Sequence, residues 1–267
     1  MLNLTIFSYN RGCQLDLMLR SMKEFFIGLD KVKVNILYRY SSEAFRMGYE
    51  KVKKYHPEFN YVLESDFKKN VIELININNF YTVFGVDDNV FKESFNISCD
   101  EMAQLGIDRS ISCLSLRMHP GITYCYTEDR PTPPPTFISS KSIMWAWQGL
   151  PGDWGYNMSV DWHIFKTEDI LDMCLRLPYN NPNSFEGQMA VNHLRMPYMM
   201  CFEKSKVFNI PANKVQTLNS NRYGSISADF LNSKFLDGYG IDLNPIKGFN
   251  NISAHQDVPY EFIIYEG

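Results

Sequence analysis

The feature that most constrains this chain is the alternation of strand-like and helix-like segments through residues 1–90, the pattern of a parallel sheet covered by helices. Residues 2–8 read as a buried strand. Leu15, Met18, Leu19, Met22 and Phe26 then recur at helical spacing, which predicts an amphipathic helix over 14–26 after a short turn at Asn10–Gly12. Residues 33–38 repeat the strand and 43–55 the helix, which must stop before Pro57 because the residue preceding a proline disfavours helix. Residues 61–63 and 67–75 make a third unit. The fourth strand, 81–86, is strongly β-prone and runs straight into Asp87, Asp88 and Asn89.

Beyond residue 110 the alternation loosens. Strands are expected at 111–116 and 122–126, followed by a loop over 130–136 that carries four prolines. Residues 144–162 hold all four tryptophans with Gly149, Gly152 and Gly155 between them, too irregular for a helix and read as a lid or cleft wall. Helices are expected at 168–175 and 184–194, a strand pair at 198–202 and 206–210, a helix at 228–236 and an edge strand at 258–265. No internal repeat or low-complexity tract interrupts this, so 267 residues read as one α/β domain with a first half over 1–110 and a second over 111–267.

Composition narrows the function. With 26 Lys and Arg against 30 Asp and Glu the net charge is -4, without the basic excess that a dedicated nucleic-acid binder needs to neutralise phosphates, so nucleic acid is not expected as a partner. Apolar runs are short and residues 1–9 have no basic flank or cleavage pattern, so neither a transmembrane segment nor a signal peptide is expected; the chain reads as cytoplasmic, with peripheral attachment at the inner membrane face as a variant. Six isolated cysteines read as reduced buried thiols, and four glycosylation sequons as chance. Aromatic residues reach 15%, which core packing or a sugar platform would both explain.

The sharpest motif is the acid pair that closes the fourth strand. Ligands of open parallel sheets bind at the carboxyl ends of the strands. Adjacent carboxylates there repel each other and lose solvation, which a divalent cation would relieve; the alternative is an Asp-rich turn capping the next element. The chain has no G-x-x-x-x-G-K-[ST] loop and no G-x-G-x-x-G after its first strand. A nucleoside diphosphate bound here would therefore need Mn2+ or Mg2+ held by carboxylates in place of a backbone cradle.

The run Thr5, Ile6, Phe7, Ser8, Tyr9, Asn10, Arg11, the strand ending in Asp87, Asp88 and Asn89, and an aromatic region 60–75 residues later resemble nucleotide-sugar glycosyltransferases of the A-type fold, similar to the family-2-like enzymes of polysaccharide and lipopolysaccharide synthesis. The resemblance implies a Rossmann-like three-layer α/β/α fold with a mostly parallel central sheet. It implies a donor of UDP or GDP type, a glycan or lipid-linked glycan acceptor, and transfer to an acceptor hydroxyl in surface polysaccharide or glycoconjugate synthesis. Within it, Tyr9 would stack on the base, Asn10 would lie in the same turn, and Arg11 would pair with phosphate or Asp. Asp88 would hold the metal, with Asp87 near the ribose or metal and Asn89 in the third place of a motif that is often Asp-x-Asp. Asp66 would contact the base, or simply cap the third helix.

Asp161 follows Asp88 by 73 residues, where inverting members place their catalytic base. Trp154 and Trp162 would give it an apolar wall, and His163 would join them in binding the acceptor, unless Asp161 merely holds His163 or a turn. Glu186 fits a capping box behind Asn183, with a catalytic role as the alternative. His255 would complete a metal shell as in retaining members, or be a plain surface histidine; inversion is slightly favoured. The rival functions are a metal-dependent nucleotidyl or phosphoryl transferase and a noncatalytic carbohydrate-binding protein.

Overall fold

The computed structural model describes residues 1–138, 142–214 and 222–267. Eight strands form the central sheet: β1 (Leu2–Tyr9), β2 (Val34–Arg39), β3 (Asn60–Leu63), β4 (Tyr81–Val86), β5 (Ile111–Ser115), β6 (Ile143–Ala146), β7 (His163–Lys166) and β8 (Tyr198–Cys201), joined in the order β3-β2-β1-β4-β7-β5-β8-β6. Pairing is parallel from β3 through β4 and between β5 and β8, and antiparallel on both sides of β7 and at β6. The expected mostly parallel α/β sheet is therefore present. Strands from before residue 110 make one half of it and strands from after it the other.

Helices α1 (Gly12–Phe25), α2 (Glu43–Tyr55), α3 (Phe67–Leu74), α4 (Asp100–Ile107), α5 (Thr167–Arg176), α6 (Pro182–Val191) and α7 (Ala228–Leu236) supply the outer layers. Side chains alternate across a strand, so Leu2, Leu4 and Ile6 of β1 join the core under α1, α2, α4 and α7, while Phe7 joins the core under α3, α5 and α6. None of the described helices is long and apolar enough to cross a membrane.

Differences from the sequence expectation lie in the second half. Residues 198–201 and 207–209 do not pair with each other: β8 enters the main sheet between β5 and β6, whereas Val207–Asn209 pairs with Asn89–Phe91. The expected strand at 122–126 shrinks to Tyr124–Cys125, bonded to Arg130–Pro131, and the tail strand Phe262–Ile264 pairs with Tyr239–Ile241 rather than edging the main sheet. In each case a short β-prone run found its partner through tertiary contacts that local propensity does not encode.

The placement of β7 sets up the cleft. Because β7 runs antiparallel to β4, its first residues lie beside the last residues of β4. Trp162 makes the join: its N–H donates to the Phe84 carbonyl at 2.8 Å and its own carbonyl accepts from Leu116 N–H at 3.0 Å. The residue sits at φ 57°, a left-handed conformation that a bulky side chain rarely adopts, and its indole lies over Gly85, where a Cβ would come within 2.7 Å of Nε1. Gly85 is thus required by a close approach. Gly85→Ala should cost ~1–3 kcal/mol through overpacking, read as a lowered melting temperature, and should impair the function of the cleft by shifting Asp161; an unchanged melting temperature would contradict this packing.

Candidate active site

At the carboxyl edge of the sheet a cleft of about 810 Å³ opens over the ends of β1, β2 and β4 and the start of β7. At one end, Asp87 is buried and fully engaged: Oδ2 accepts from Ser8 Oγ at 2.8 Å and from Tyr9 N–H at 3.1 Å, and Oδ1 accepts from Arg11 Nη1 at 3.0 Å. The same Nη1 donates to Asp88 Oδ2 at 3.0 Å. Asn213 holds the other side of the guanidinium, its Oδ1 accepting from Nε at 2.8 Å and its carbonyl from Nη2 at 2.6 Å. Burial pushes the Asp87 carboxyl up to about 6, against the pull of Arg11 and with the help of Asp88. Burial also works against the charge of Arg11, but Asp87 and Asp88 outweigh it and hold the guanidinium above its ordinary value.

The sequence motif therefore does close a buried strand with two acids, and the cation nearest to both is Arg11. Tyr9 lines the cleft with the Arg39 guanidinium 4.4 Å from its ring centroid, and Arg39 in turn pairs with Glu64 at 3.4 Å. Two expected neighbours are absent from this end. Asn10 takes the left-handed turn, φ 58°, that asparagine tolerates, and its amide is spent on Ser41. Asp66 caps α3 by accepting from Lys69 N–H at 3.0 Å and lies in a separate shallow groove with Tyr179.

A second group of charges faces this one. Asp161 Oδ2 lies 3.3 Å from Arg117 Nη1 and 3.8 Å from His255 Nε2. Arg117 also donates to Asn209 Oδ1 at 2.9 Å and to Ser159 Oγ at 3.0 Å. Glu186 Oε1 accepts from Ser159 Oγ at 2.9 Å and from Val160 N–H at 3.0 Å. Burial first, then the Asp161 charge, pushes the Glu186 carboxyl up to about 7. The capping role read for Glu186 is a misassignment: Asn181 caps α6, with Ser184 closing the box, so the helix starts earlier and Glu186 is free to face the cleft. Asn209 ties the two ends together, since its Nδ2 donates to Asp88 Oδ1 at 3.1 Å while its Oδ1 accepts from Arg117.

The tryptophans and His163 stand elsewhere. Trp154 packs in the core against Trp145 and Phe137, and Trp162 against Phe91, both with 1% exposure or less. His163 is buried beside Cys113 and Asn157, and burial lowers it to about 3, so it is a neutral core residue. None of the three lines the cleft, which removes the sugar platform expected from the aromatic cluster. The segment 144–162 does supply a cleft wall, as expected, but through Gly152, Asp153, Tyr156 and Ser159–Asp161 rather than through its tryptophans.

For a metal, Asn89 does not serve: its Oδ1 accepts from Val86 N–H at 2.8 Å to close the turn, and an amide nitrogen is no metal donor. Among the described residues no three His, Cys, Asp or Glu side chains converge. Asp88 and His255 do line the cleft, and burial together with Arg117 lowers His255 toward the neutral form that ligates. These two suit a cation that arrives with an oxygen-rich ligand rather than one enclosed by protein alone. Arg117, Asn209, Ser159 and Asn213 were not read from the sequence. For Arg117 a signal existed, a charge just past the buried strand β5, by the same logic that singled out Asp87 and Asp88.

No family model matches the chain. Among curated proteins it is similar to the bifunctional glycosyltransferase pgtA of Dictyostelium discoideum, 25% identical over an alignment 249 positions long that covers 80% of this chain and 32% of that protein. The chain thus spans about a third of the length of the curated relative it matches. Among solved structures it is similar to TarS of S. aureus, at 13% identity and TM-score 0.49 over 79% of this chain and 37% of that one. A mannosyltransferase from Pyrobaculum calidifontis in complex with GDP-Man and Mn2+ matches at 11% identity and TM-score 0.41 over 74% of this chain and 54% of that one. The glycosyltransferase resemblance seen in Tyr9–Arg11 and Asp87–Asn89 is matched by the first of these likenesses.

Removing Arg11 should strand the buried Asp87 carboxylate beside the half-buried Asp88. Arg11→Met is expected to destabilise the chain by about 3–5 kcal/mol near pH 7. The deficit should shrink toward pH 5, because Asp87, raised by burial and relieved of the pull of Arg11, then takes up a proton and sheds the repulsion. Urea melts at the two pH values, alone and with Asp88→Asn added to restore stability, check this.

Proposed function

We propose that the chain is a nucleotide-sugar glycosyltransferase that moves a sugar from a UDP- or GDP-type donor to a hydroxyl of a glycan or lipid-linked glycan, with inversion, in the synthesis of a surface polysaccharide or glycoconjugate. The observation that carries this reading is the meeting, in one cleft, of a strand-end acid pair and a second carboxylate pair, connected through Arg11, Asp88, Asn209, Arg117 and Asp161. The likeness to a curated glycosyltransferase over 80% of the chain supports it.

In this reading the nucleotide lies over the ends of β1 and β4. Tyr9, backed by Arg39, stacks on the base. Two carboxylates against one guanidinium leave the diphosphate end with excess negative charge, so a diphosphate settles there only with a further cation. Asp88, the more exposed acid, would hold Mn2+ or Mg2+ with His255 on the same cleft wall; when bound, such an ion compensates the charge of the departing diphosphate. The acceptor hydroxyl attacks the anomeric carbon, the bond to the diphosphate breaks, and the hydroxyl proton passes to the Asp161–Glu186 pair. Arg117 fixes the Asp161 carboxylate, and the raised Glu186 keeps the pair's proton affinity near neutral pH, where a general base works best.

Thermal shift with UDP, GDP, CMP and dTDP, each with and without Mn2+, tests the donor end. One nucleotide should raise the melting temperature by several degrees, and only with the metal. Asp88→Ala should lose that shift and all turnover; wild-type turnover in this variant overturns the assignment. Asp161→Asn should retain the shift but lower kcat by about 10²–10⁴-fold. A nucleoside triphosphate consumed with no sugar-donor turnover would instead identify a nucleotidyl or phosphoryl transferase.

The pH profile tests the base. The deprotonated pair is the working form, so kcat/KM should rise with pH and level off above about 7. In Glu186→Gln the limb near that value should vanish along with most of the rate; a profile identical to wild type would exclude Glu186 from the proton path.

A further inference from the structure

Two lysines are buried among the described residues, and the fold treats them differently. Lys166 Nζ donates to the carbonyls of Leu105, Asp108 and Ile111 and lies 3.5 Å from an Asp169 oxygen, so its charge is fully engaged. Lys92, 3% exposed, has no such set: the described residues give its ammonium neither a hydrogen bond nor an ion pair, yet Nζ is not sealed from solvent. Burying an ammonium without a partner is unfavourable, and loss of its proton relieves it.

Its neighbours add to the misfit. Lys92 stands just past the strand Asn89–Phe91, its N–H donating to the Lys206 carbonyl at 2.9 Å, and because Phe91 pairs with Val207 the two lysines lie directly across the ladder from each other. Like charges so placed are destabilising. Lys204 adds a third cation, and the carboxylate that acts on Lys92, Glu93, lies 3.7 Å from Lys204. His119 faces the same amine as a neutral ring, since its Nδ1 accepts from Gly121 N–H and its Nε2 is left to donate to the Asn251 carbonyl. Burial foremost, against the pull of Glu93 and with the help of Lys204 and Lys206, pushes the Lys92 amine down to about 8. On the order of a hundredfold more of it is neutral at pH 7 than of an ordinary lysine at about 10.4.

Access and the charge of the product decide what such an amine reacts with. At 3% exposure Nζ admits a small linear electrophile and not an acyl group carried on a bulky donor. Acylation would leave a neutral amide beside Lys204 and Lys206, whereas addition to carbon dioxide leaves an anion that both can attract. We propose that Lys92 is a reversible carbamylation site for carbon dioxide. The Nζ lone pair attacks the carbon, one C=O π bond opens onto oxygen, and the nitrogen passes a proton to water, which leaves Nζ–COO⁻. The repelling pair of Lys92 and Lys206 becomes an attracting one. Lys92 does not line the cleft, so this site stands apart from the transfer reaction.

Carbamate trapping on the full chain tests this. The protein is equilibrated near neutral pH with carbon-13-labelled carbon dioxide and bicarbonate, carbamates are fixed as ethyl esters with triethyloxonium, and the label is located by peptide mapping. Lys92 should carry it about tenfold or more above any exposed lysine. At fixed carbon dioxide pressure its occupancy should rise with pH through about 8, because the neutral amine is the reacting form. Lys206→Met, which keeps an apolar stem against Phe202, should lower that occupancy severalfold, both by raising the proton affinity of Lys92 and by removing a partner of the carbamate. Lys92→Arg should lose the labelled site and keep the wild-type circular dichroism; should it not fold, the wild-type map and Lys206→Met decide the matter. Label confined to the Met1 α-amino group, label spread evenly over surface lysines, or an occupancy untouched by Lys206→Met overturns the proposal. So does a shift of the Lys92 Nζ resonance by inorganic phosphate with no carbamate formed, which would make this a noncovalent anion site.

Discussion

One guanidinium lets this cleft exist. A buried strand that ends in two consecutive carboxylates would be driven apart by their repulsion and by lost hydration. Arg11 sits between them, 3.0 Å from an oxygen of each, and is itself clamped by Asn213 from 202 residues further along the chain. Its fork of fixed donors suits this better than a lysine ammonium, since Nη1 serves both acids while Nε and Nη2 engage a side chain and a carbonyl. The first βα turn, the end of the fourth strand and a late loop are thereby locked to one another. Asn209 then hands the connection from Asp88 to Arg117, and Arg117 passes it to Asp161, so the two ends of the cleft form one polar framework rather than two neighbouring sites.

Strand direction supplies the other half of the arrangement. In an all-parallel sheet every strand would present its carboxyl end at this edge, and residues preceding a strand would lie at the opposite one. β7 reverses the pattern, so the residues that lead into it, Ser159 to Trp162, arrive beside those that follow β4. Trp162 holds the junction through two backbone hydrogen bonds and an indole seated over Gly85. The price is a left-handed backbone at a bulky residue, strain of the kind that persists where the surroundings over-determine it.

The first half of the fold was legible in the sequence because its central strands β1, β2 and β4 are largely buried and its helices amphipathic, so pattern and structure agree; Glu43–Tyr55 and Tyr81–Val86 were located to the residue. Asp87 and Asp88 were legible for the same reason, as charges at the end of an apolar run. The errors share one physical origin, which is that local pattern does not reveal the partner. The tryptophans advertised a sugar surface, yet each is buried against other aromatic rings, Trp145 and Trp154 against one another, Trp147 against His193 and Trp162 against Phe91. Glu186 looked like a cap because Asn183 precedes it by three residues, but Asn181 and Ser184 make a better box one half-turn earlier. Asn89 and Asn10 looked like ligands and are turn-closing residues. Arg11 was expected to meet either phosphate or aspartate, and it meets both aspartates. Asn209 and Asn213 carry no local signal, since nothing in a lone asparagine shows what folds onto it.

The segment between β6 and β7 divides its duties along its length. Its final residues are pinned by Trp162 and cannot move without unseating the sheet. The stretch around Gly152 to Tyr156 is a single 3₁₀ turn outside the sheet, anchored by Trp154. Mutation at Asp153 or Tyr156 can therefore remodel the rim of the cleft while Gly152, Trp154 and Gly155 hold the turn and the Asp161 carboxylate stays where it is. A lineage built on this plan is free to diversify what it accepts without reinventing how it reacts, and divergence among its descendants should be concentrated in that short stretch.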